Sequence, residues 1–299
     1  FHAIIFPGET SFCCPMTQPT TPDPIDYLLI GHVTADLQAD QSISLGGTAS
    51  FSGLTAARLG HNVGLVTSCA SDMALDPLAG IQTWVVPAEK STVFLNQGFG
   101  SSRVQHLYSS ATRITAEHIP LAWTDCPIVH LGPIAAEIDP DIVRLFPNAL
   151  ICLTPQGWYR QADEEGLVQH VDWPDEMTLL PQSHAVVLSL EDLRGEERRV
   201  QELAKILPLL VVTENREGAR VFFHGEARFF PASPVELVED TGAGDIFAAC
   251  FFHRFHITRD PWEAARFAVQ LSACSVTRKR LESIPTLVEI EQAKIQVLA

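Results

Sequence analysis

Gly242, Ala243, Gly244 and Asp245 stand between two acidic residues, Glu239 and Asp240, and an apolar, helix-compatible segment that begins at Ile246. Backbone N–H groups at a helix start are unpaired and point outward, and glycines let an anion approach them closely, so this turn is suited to cradle a phosphate. A carboxylate beside a bound phosphate would repel it, so Asp245 makes no sense as a binding group. It makes sense as a general base that takes a proton from a hydroxyl while the N–H groups stabilise the transferring phosphoryl. The same residues also read as a plain helix start, with Asp245 as N-cap and the glycines as a turn, because Asp is a favoured capping residue. Two other glycine-loop chemistries fail on the letters. A Walker A string does not occur, and a G-x-G-x-x-G fingerprint breaks at Phe247, where its third glycine would stand.

Around this turn, short β-rich runs alternate with helical patterns, the signature of an α/β fold with a mostly parallel sheet covered on both faces. Strands are expected at 27–31, 63–67, 128–131, 149–153, 185–189 and 209–213, several of them continuously apolar as buried parallel strands are. Helices fit 49–59, 139–146, 196–207, 245–255, 261–277 and 286–297. Two polar, strand-like segments, 34–45 and 92–114, interrupt the alternation and read as a small β-sheet projecting from the core as a lid. Such an exposed sheet could also pair two copies into a homodimer.

The chain has 299 residues, 46% hydrophobic and 19% charged, which suits a soluble globular protein. Its formal charge of −16 argues against a partner bound through phosphate neutralisation, and the longest basic run, Arg278-Lys279-Arg280, is too short to override that, so no nucleic acid is expected. The seven cysteines are odd in number and, beyond Cys13 and Cys14, scattered through apolar stretches, which reads as reduced core residues in a cytoplasmic protein. No apolar run has the length of a membrane span. Residues 1–24 read as a flexible N-terminal tail, with Met16 opening a Pro/Thr-rich leader, and 25–299 as one folded domain with lid segments at about 34–45 and 92–114.

Three ordered elements carry a resemblance to the PfkB carbohydrate kinase family, which has the ribokinase-like fold. The first is Glu239-Asp240-Thr241-Gly242-Ala243-Gly244-Asp245. The second is Gly46-Gly47 followed by a helix and then Leu59-Gly60-His61-Asn62-Val63-Gly64-Leu65-Val66-Thr67 and Asp72. The third runs from Phe267-Ala268 through Ser275-Val276-Thr277 to Ile284-Pro285. The resemblance implies ATP and Mg²⁺ as cofactors, Asp245 as catalytic base, and Gly242, Ala243 and Gly244 as anion hole. It implies substrate contacts from Asp36, Gly46, Gly47 and Ser50, and from Arg103 in the lid. A carboxylate with two acceptor oxygens suits a vicinal diol. Ser189, Thr213, Gly218 and Thr241 match positions near the nucleotide, and Asp192 and Glu239 positions near the metal.

The departures from the family pattern also carry information. Glu239 and Asp240 replace the usual start of the signature, next to the site where relatives hold a monovalent cation such as K⁺. Ser189-Leu190-Glu191-Asp192 stands where the family has N-x-x-E, and Arg278-Lys279-Arg280-Leu281 where it has a glycine-containing loop. Gly46-Gly47-Thr48-Ala49-Ser50-Phe51 and Gln156-Gly157-Trp158-Tyr159-Arg160 are similar to segments of inositol-kinase-like members, which implies a polyol pocket with Gln156 and Arg160, although Trp158 and Tyr159 also read as core packing. The expected reaction is transfer of the ATP γ-phosphoryl group to a hydroxyl of a sugar or cyclitol. A nucleoside kinase is the alternative, kept open by Phe94, Phe99 and Tyr108 in the lid. A kinase-like binding protein with weak turnover is a further alternative, motivated by Ser189, Asp192 and Glu239.

Overall fold

The computed structural model describes residues 22–37, 42–97 and 104–295. From β1 (Tyr27–Ile30) the chain leaves the main sheet to form β2 (Thr34–Leu37) and β3 (Ile43–Gly46), and then begins α1 (Gly47–Arg58). It returns as β4 (Val63–Cys69) and β5 (Gln82–Pro87), leaves again for β6 (Thr92–Gln97) and β7 (Val104–Ser109), and comes back as β8 (Ile128–Leu131) and β9 (Leu150–Leu153). The hairpin β10 (Arg160–Ala162) and β11 (Val168–His170) and the one-turn helix α2 (Glu176–Leu179) lead to β12 (Ala185–Ser189). Then follow α3 (Glu197–Ile206), β13 (Leu209–Thr213), β14 (Gly218–Phe223), β15 (Glu226–Pro231), α4 (Ala243–Thr258), α5 (Pro261–Ser275) and α6 (Leu287–Lys294).

The main sheet has nine strands in the order β15-β14-β13-β12-β9-β8-β1-β4-β5. All run parallel except β14 and β15, which add antiparallel at one edge. Tyr27 and Leu29 of β1 face one apolar layer with Phe51, Phe247 and Phe267, whereas Leu28 and Ile30 face the other with Ile142, Phe146 and Leu203. A strand buried on both faces needs apolar residues at every position, which is why Tyr27–Ile30 shows no alternation.

The strand order reverses at β1, with β4 and β5 on one side and β8, β9, β12 and β13 on the other. In open α/β sheets, the crevice beyond the carboxyl ends of the strands at such a reversal is where ligands bind. The second sheet, β3-β2-β6-β7, rises from the same end, because β2 follows β1 and β6 follows β5. Its strands account for the polar segments at 34–45 and 92–114, but pairing stops at Ser109. Ile114 is already buried in the main core and bridges Ile138.

Local differences from the sequence reading have local causes. The helix expected at 139–146 is a 3-10 segment, Pro140–Leu145. Pro147 restricts Phe146 and stops propagation. The β14–β15 hairpin was not expected, because its two-residue turn uses His224 (φ +49°) and Gly225 (φ +81°), and His is not the residue that signals a turn with two positive φ angles. Of the expected helix 286–297, α6 covers Leu287–Lys294, started by a capping box between Thr286 and Glu289, and residues 296 and 297 lie outside the described residues. Among the described residues, no helix is long and apolar enough to cross a membrane. Cys69, Cys126, Cys152 and Cys250 are free and buried. Desolvation pushes the Cys69 thiol up to about 11 and that of Cys126 to about 12, which keeps both protonated and unreactive.

Candidate active site

Helix α4 starts from Gly242, whose φ of +82° lies in the left-handed region. A Cβ at this position would overlap the Phe51 ring of α1, so glycine serves both the turn and the close approach of the two helices. No side chain caps the first turn of α4, and open space surrounds Gly244, so the N–H end of the helix faces outward. Asp245 is the third helical residue and not the N-cap, which corrects the plain capping reading. Its carboxylate reaches across to α1, where Thr48 Oγ1 donates to Oδ1 at 2.7 Å, and Ser52 Oγ donates to its carbonyl at 2.9 Å.

Helix α1 also starts without a side-chain cap or an acidic first turn. Gly46 is its N-cap, and a methyl group here would overlap the carboxylate of Asp36 on β2. Gly47 has φ +82°, and a Cβ would lie 2.8 Å from the His32 carbonyl oxygen. Asp36 is buried and accepts from Thr34 Oγ1 at 2.7 Å. One helix start therefore has Asp36 on one side and Asp245 on the other, beside two uncapped rows of N–H groups. Ser50 turns away from this space, being fully buried with Oγ donating to the Gly46 carbonyl at 2.6 Å. Its role is to brace the turn.

The floor comes from the ends of β1 and β8. Buried Glu137 accepts from the backbone N–H groups of His32 (3.2 Å), Ile134 (2.9 Å) and Ala135 (2.7 Å), which fixes the loop after β8 to the end of β1. The His32 ring is held by Thr92 Oγ1 at 2.8 Å and the Thr112 carbonyl at 2.9 Å, linking β1 to the base of the lid sheet. Sequence reasoning missed Thr48, His32 and Glu137. Thr48 lay inside the Gly46–Phe51 string, but its partner is 197 residues away. Glu137 serves backbone groups, which leaves no pattern of side chains to find.

A second group of the expected residues meets beyond β9 and β12. The Asp192 carboxylate is buried, accepts from the Ser189 N–H at 2.9 Å, and lies 3.5 Å from Gln156 Nε2 and 3.8 Å from the Arg160 guanidinium. Arg160 also donates to Gln105 on β7 at 2.9 Å, tying the lid sheet to the body. Trp158 and Tyr159 are core residues: Trp158 stacks on Trp173 at 4.5 Å, and the Tyr159 hydroxyl donates to Glu176 at 2.5 Å. The polyol-pocket reading of this aromatic pair is therefore replaced by core packing. Thr213 Oγ1 donates to the Leu188 carbonyl at 3.4 Å, and Gly218 packs directly on the Phe230 carbonyl. Arg103 and Phe99 lie outside the described residues.

Among the described residues, no three His, Cys, Asp or Glu side chains gather to ligate a metal. The Asp192 carboxylate caps the Ser189 N–H and lies beside the Arg160 guanidinium, and the Glu239 N–H donates to the Val276 carbonyl at 3.2 Å. Magnesium favours a few carboxylates, waters and substrate phosphates over an all-protein cage, so these residues fit a metal carried in by the phosphoryl donor.

Residues 175–287 match the sequence profile of the pfkB family carbohydrate kinases. The cytidine kinase of Thermococcus kodakarensis is 24% identical over 272 residues, covering 82% of this chain and 94% of that protein. Among solved structures, a pyrophosphate-dependent kinase of the ribokinase family complexed with a pyrophosphate analogue and myo-inositol superposes with a TM-score of 0.74. It is 20% identical, over 86% of this chain and 98% of that one. A ribokinase II from E. coli in complex with ATP and Mg²⁺ superposes with a TM-score of 0.69 at 18% identity, over 90% and 98%.

Proposed function

We propose, from the premise that this chain belongs to the PfkB carbohydrate kinase family and has the ribokinase-like fold, that it transfers the γ-phosphoryl group of ATP to a hydroxyl of a small sugar or cyclitol. Phosphotransfer to an alcohol group is the family's chemistry. The observation that carries the finer reading is the arrangement about the start of α1, with Asp36 against Gly46 and Asp245 against Thr48, both beside uncapped helix N-termini.

In this reading Asp36 accepts hydrogen bonds from acceptor hydroxyls over the Gly46-Gly47 turn. Asp245 takes the proton of the reacting hydroxyl as its oxygen attacks the γ-phosphorus. The bond from that phosphorus to the bridging oxygen breaks and ADP leaves. N–H groups of Gly242, Ala243 and Gly244 stabilise charge on the transferring group. Thr48 holds the Asp245 carboxylate toward α1. Magnesium supplies charge neutralisation on the donor phosphates when bound. Gln156 and Arg160 act at the lid side of the acceptor, and Thr213, Gly218 and Thr241 at the nucleotide side.

A second reading, a nucleoside acceptor, is favoured by the cytidine kinase relative, whose match spans most of this chain. Phe94 also pairs with Asp36 in register and is buried, so an aromatic ring stands on the strand next to the diol-binding carboxylate. A panel of sugars, cyclitols and nucleosides, read by ADP release with Mg²⁺ and ATP and repeated with K⁺, separates the readings. Turnover concentrated in free sugars or cyclitols supports the first. Nucleosides used at least tenfold more efficiently by kcat/KM would replace it with the second. Absence of binding and turnover in all three classes would favour a kinase-like binding protein.

A further inference from the structure

Among the described residues, the chain passes four times between the nine-stranded sheet and the lid sheet: from β1 to β2, from β3 to α1, from β5 to β6, and from β7 back to the core at Ile114. His32 lies in the first passage and is fully buried. Its ring meets two of the others. Nε2 lies 2.9 Å from the Thr112 carbonyl, just past β7, and Nδ1 lies 2.8 Å from Oγ1 of Thr92, the first residue of β6. The His32 carbonyl oxygen packs against the remaining passage, since a Cβ at Gly47, where β3 gives way to α1, would stand 2.8 Å from it. One residue therefore touches all four connections between lid and body.

The two ring bonds assign the protons. A carbonyl can only accept, so Nε2 carries hydrogen, and in the neutral ring Nδ1 accepts from the Thr92 hydroxyl. That hydroxyl in turn accepts from the Ala111 N–H at 3.0 Å, so the passage after β7 is held twice, directly by the ring and through Thr92. An apolar side chain at position 32 would fill the space but release both partners at the junction of lid and body.

The two carboxylates of the proposed reaction stand on different bodies. Asp36 belongs to β2 of the lid sheet, in the same stretch of chain as His32, whereas Asp245 belongs to α4 and is bound by Thr48, the residue after Gly47. Their spacing is set by how the lid sheet is seated on the start of α1. We propose that His32 is a positioning residue that fixes this seating by tying the four passages together, and so aligns the acceptor hydroxyl with Asp245 without touching either substrate. The proposal rests on the kinase reading above and deepens it. An acceptor held by Asp36 meets the base only when the lid is seated, whereas the donor phosphates face the α4 N-terminus on the body. Loosening His32 therefore misplaces the acceptor and admits water beside the donor, while donor binding persists.

The test uses the full chain, Mg²⁺ and ATP, with whichever of myo-inositol, D-fructose and cytidine the wild type phosphorylates fastest. His32→Leu removes both ring bonds, Thr92→Val removes the hydroxyl, and His32→Gln keeps an amide nitrogen that can donate to the Thr112 carbonyl. In His32→Leu the acceptor KM rises about tenfold, kcat falls and a larger share of ATP is lost to water, while the Kd for ATP changes less than about threefold. Thr92→Val moves the same quantities in the same direction, and combining it with His32→Leu adds little, because both cut one link. His32→Gln restores most of the loss. Hydrogen exchange reads the seating without turnover: amides of β2 and β6 exchange about tenfold faster in His32→Leu, and those of β8 and β12 keep the wild-type rate. Thr92→Val keeps the side-chain shape and decides the matter if His32→Leu does not fold. Unchanged KM, transfer share and lid exchange in the folded variants would overturn the proposal. So would equal weakening of acceptor and ATP with no recovery in His32→Gln, which would make His32 an ordinary core residue. Failure of the kinase reading looks different: the wild type phosphorylates none of the three acceptors, yet lid exchange still rises in His32→Leu.

Discussion

At the scale of single residues, the Thr48–Asp245 bond separates a base from a cap. A carboxylate that only capped its own helix would have little need of a hydroxyl from another helix, whereas a base must be aimed. Asp245→Asn keeps the size and the bond from Thr48 but removes the proton acceptor, so kcat should fall by about 10²–10⁴-fold with ATP affinity nearly unchanged. Near-normal turnover in that variant would remove Asp245 from the mechanism. Thr48→Val should lower kcat more modestly, by loosening the aim while leaving the base in place. Asp36→Ala addresses the other side of the α1 start. Charge-assisted bonds to two hydroxyls are worth about 2–4 kcal/mol, so acceptor binding should weaken by that amount while ATP affinity changes less than about threefold. Equal loss of both ligands in titrations would mean that Asp36 is structural.

At the scale of elements, the site exists because α1 and α4 both begin at one end of the sheet and almost touch there. Gly242→Ala tests this contact. The added methyl meets the Phe51 ring and the residue must keep φ +82°, so stability should fall by about 2–4 kcal/mol, combining left-handed strain with overpacking. Thermal or denaturant unfolding reads it, and an unchanged midpoint would mean that the α1–α4 approach is loose. These two helices and the parallel strands were legible in the sequence because burial on both faces demands continuous apolar runs and because a glycine turn before an apolar segment has few other meanings. The lid sheet was legible as polar strand-like segments without a helix. The β14–β15 hairpin was not, since its turn lacks the residues that announce it. The meeting of Asp192 with Gln156 and Arg160 was not legible either, because nothing local in the two separate segments after β9 and β12 states that these strands lie side by side.

At the scale of the whole molecule, buried histidines couple the fold to pH. His130 lies under the site, between the Tyr27 hydroxyl and Thr154 Oγ1 at 3.0 Å each, and burial lowers it to about 3. At the opposite end of β1, Asp26 accepts from His61, whose other nitrogen meets His253 Nδ1 at 2.9 Å. Burial is also the main reason that His253 is lowered to about 3, with the charges of His61, Arg254, Lys294 and His256 adding to it. Both groups stay neutral in the folded chain but charge near 6.5 when unfolded, so between about pH 6.5 and 3 the unfolded state binds more protons. Stability therefore falls as pH drops below about 6.5, approaching about 1.4 kcal/mol per pH unit for each histidine. The formal charge of −16 acts in the other direction, since acidification toward the pI near 5.0 relieves repulsion. Those charges are spread over the surface and largely screened at about 0.15 M salt, where the Debye length is about 8 Å, so the buried groups should dominate. Denaturant unfolding at 0.15 M salt should show stability dropping by about 2–3 kcal/mol between pH 6.5 and 5.0, above the range in which most carboxylates titrate. His130→Gln loses one titrating group, so its absolute stability is lower but its slope over the same interval should be clearly shallower than that of the wild type, the remainder coming from His253 and from His184 and His256, which burial also lowers. A slope unchanged in this variant would show that His130 is protonated in the folded chain, or that its neutral form is not what the core requires.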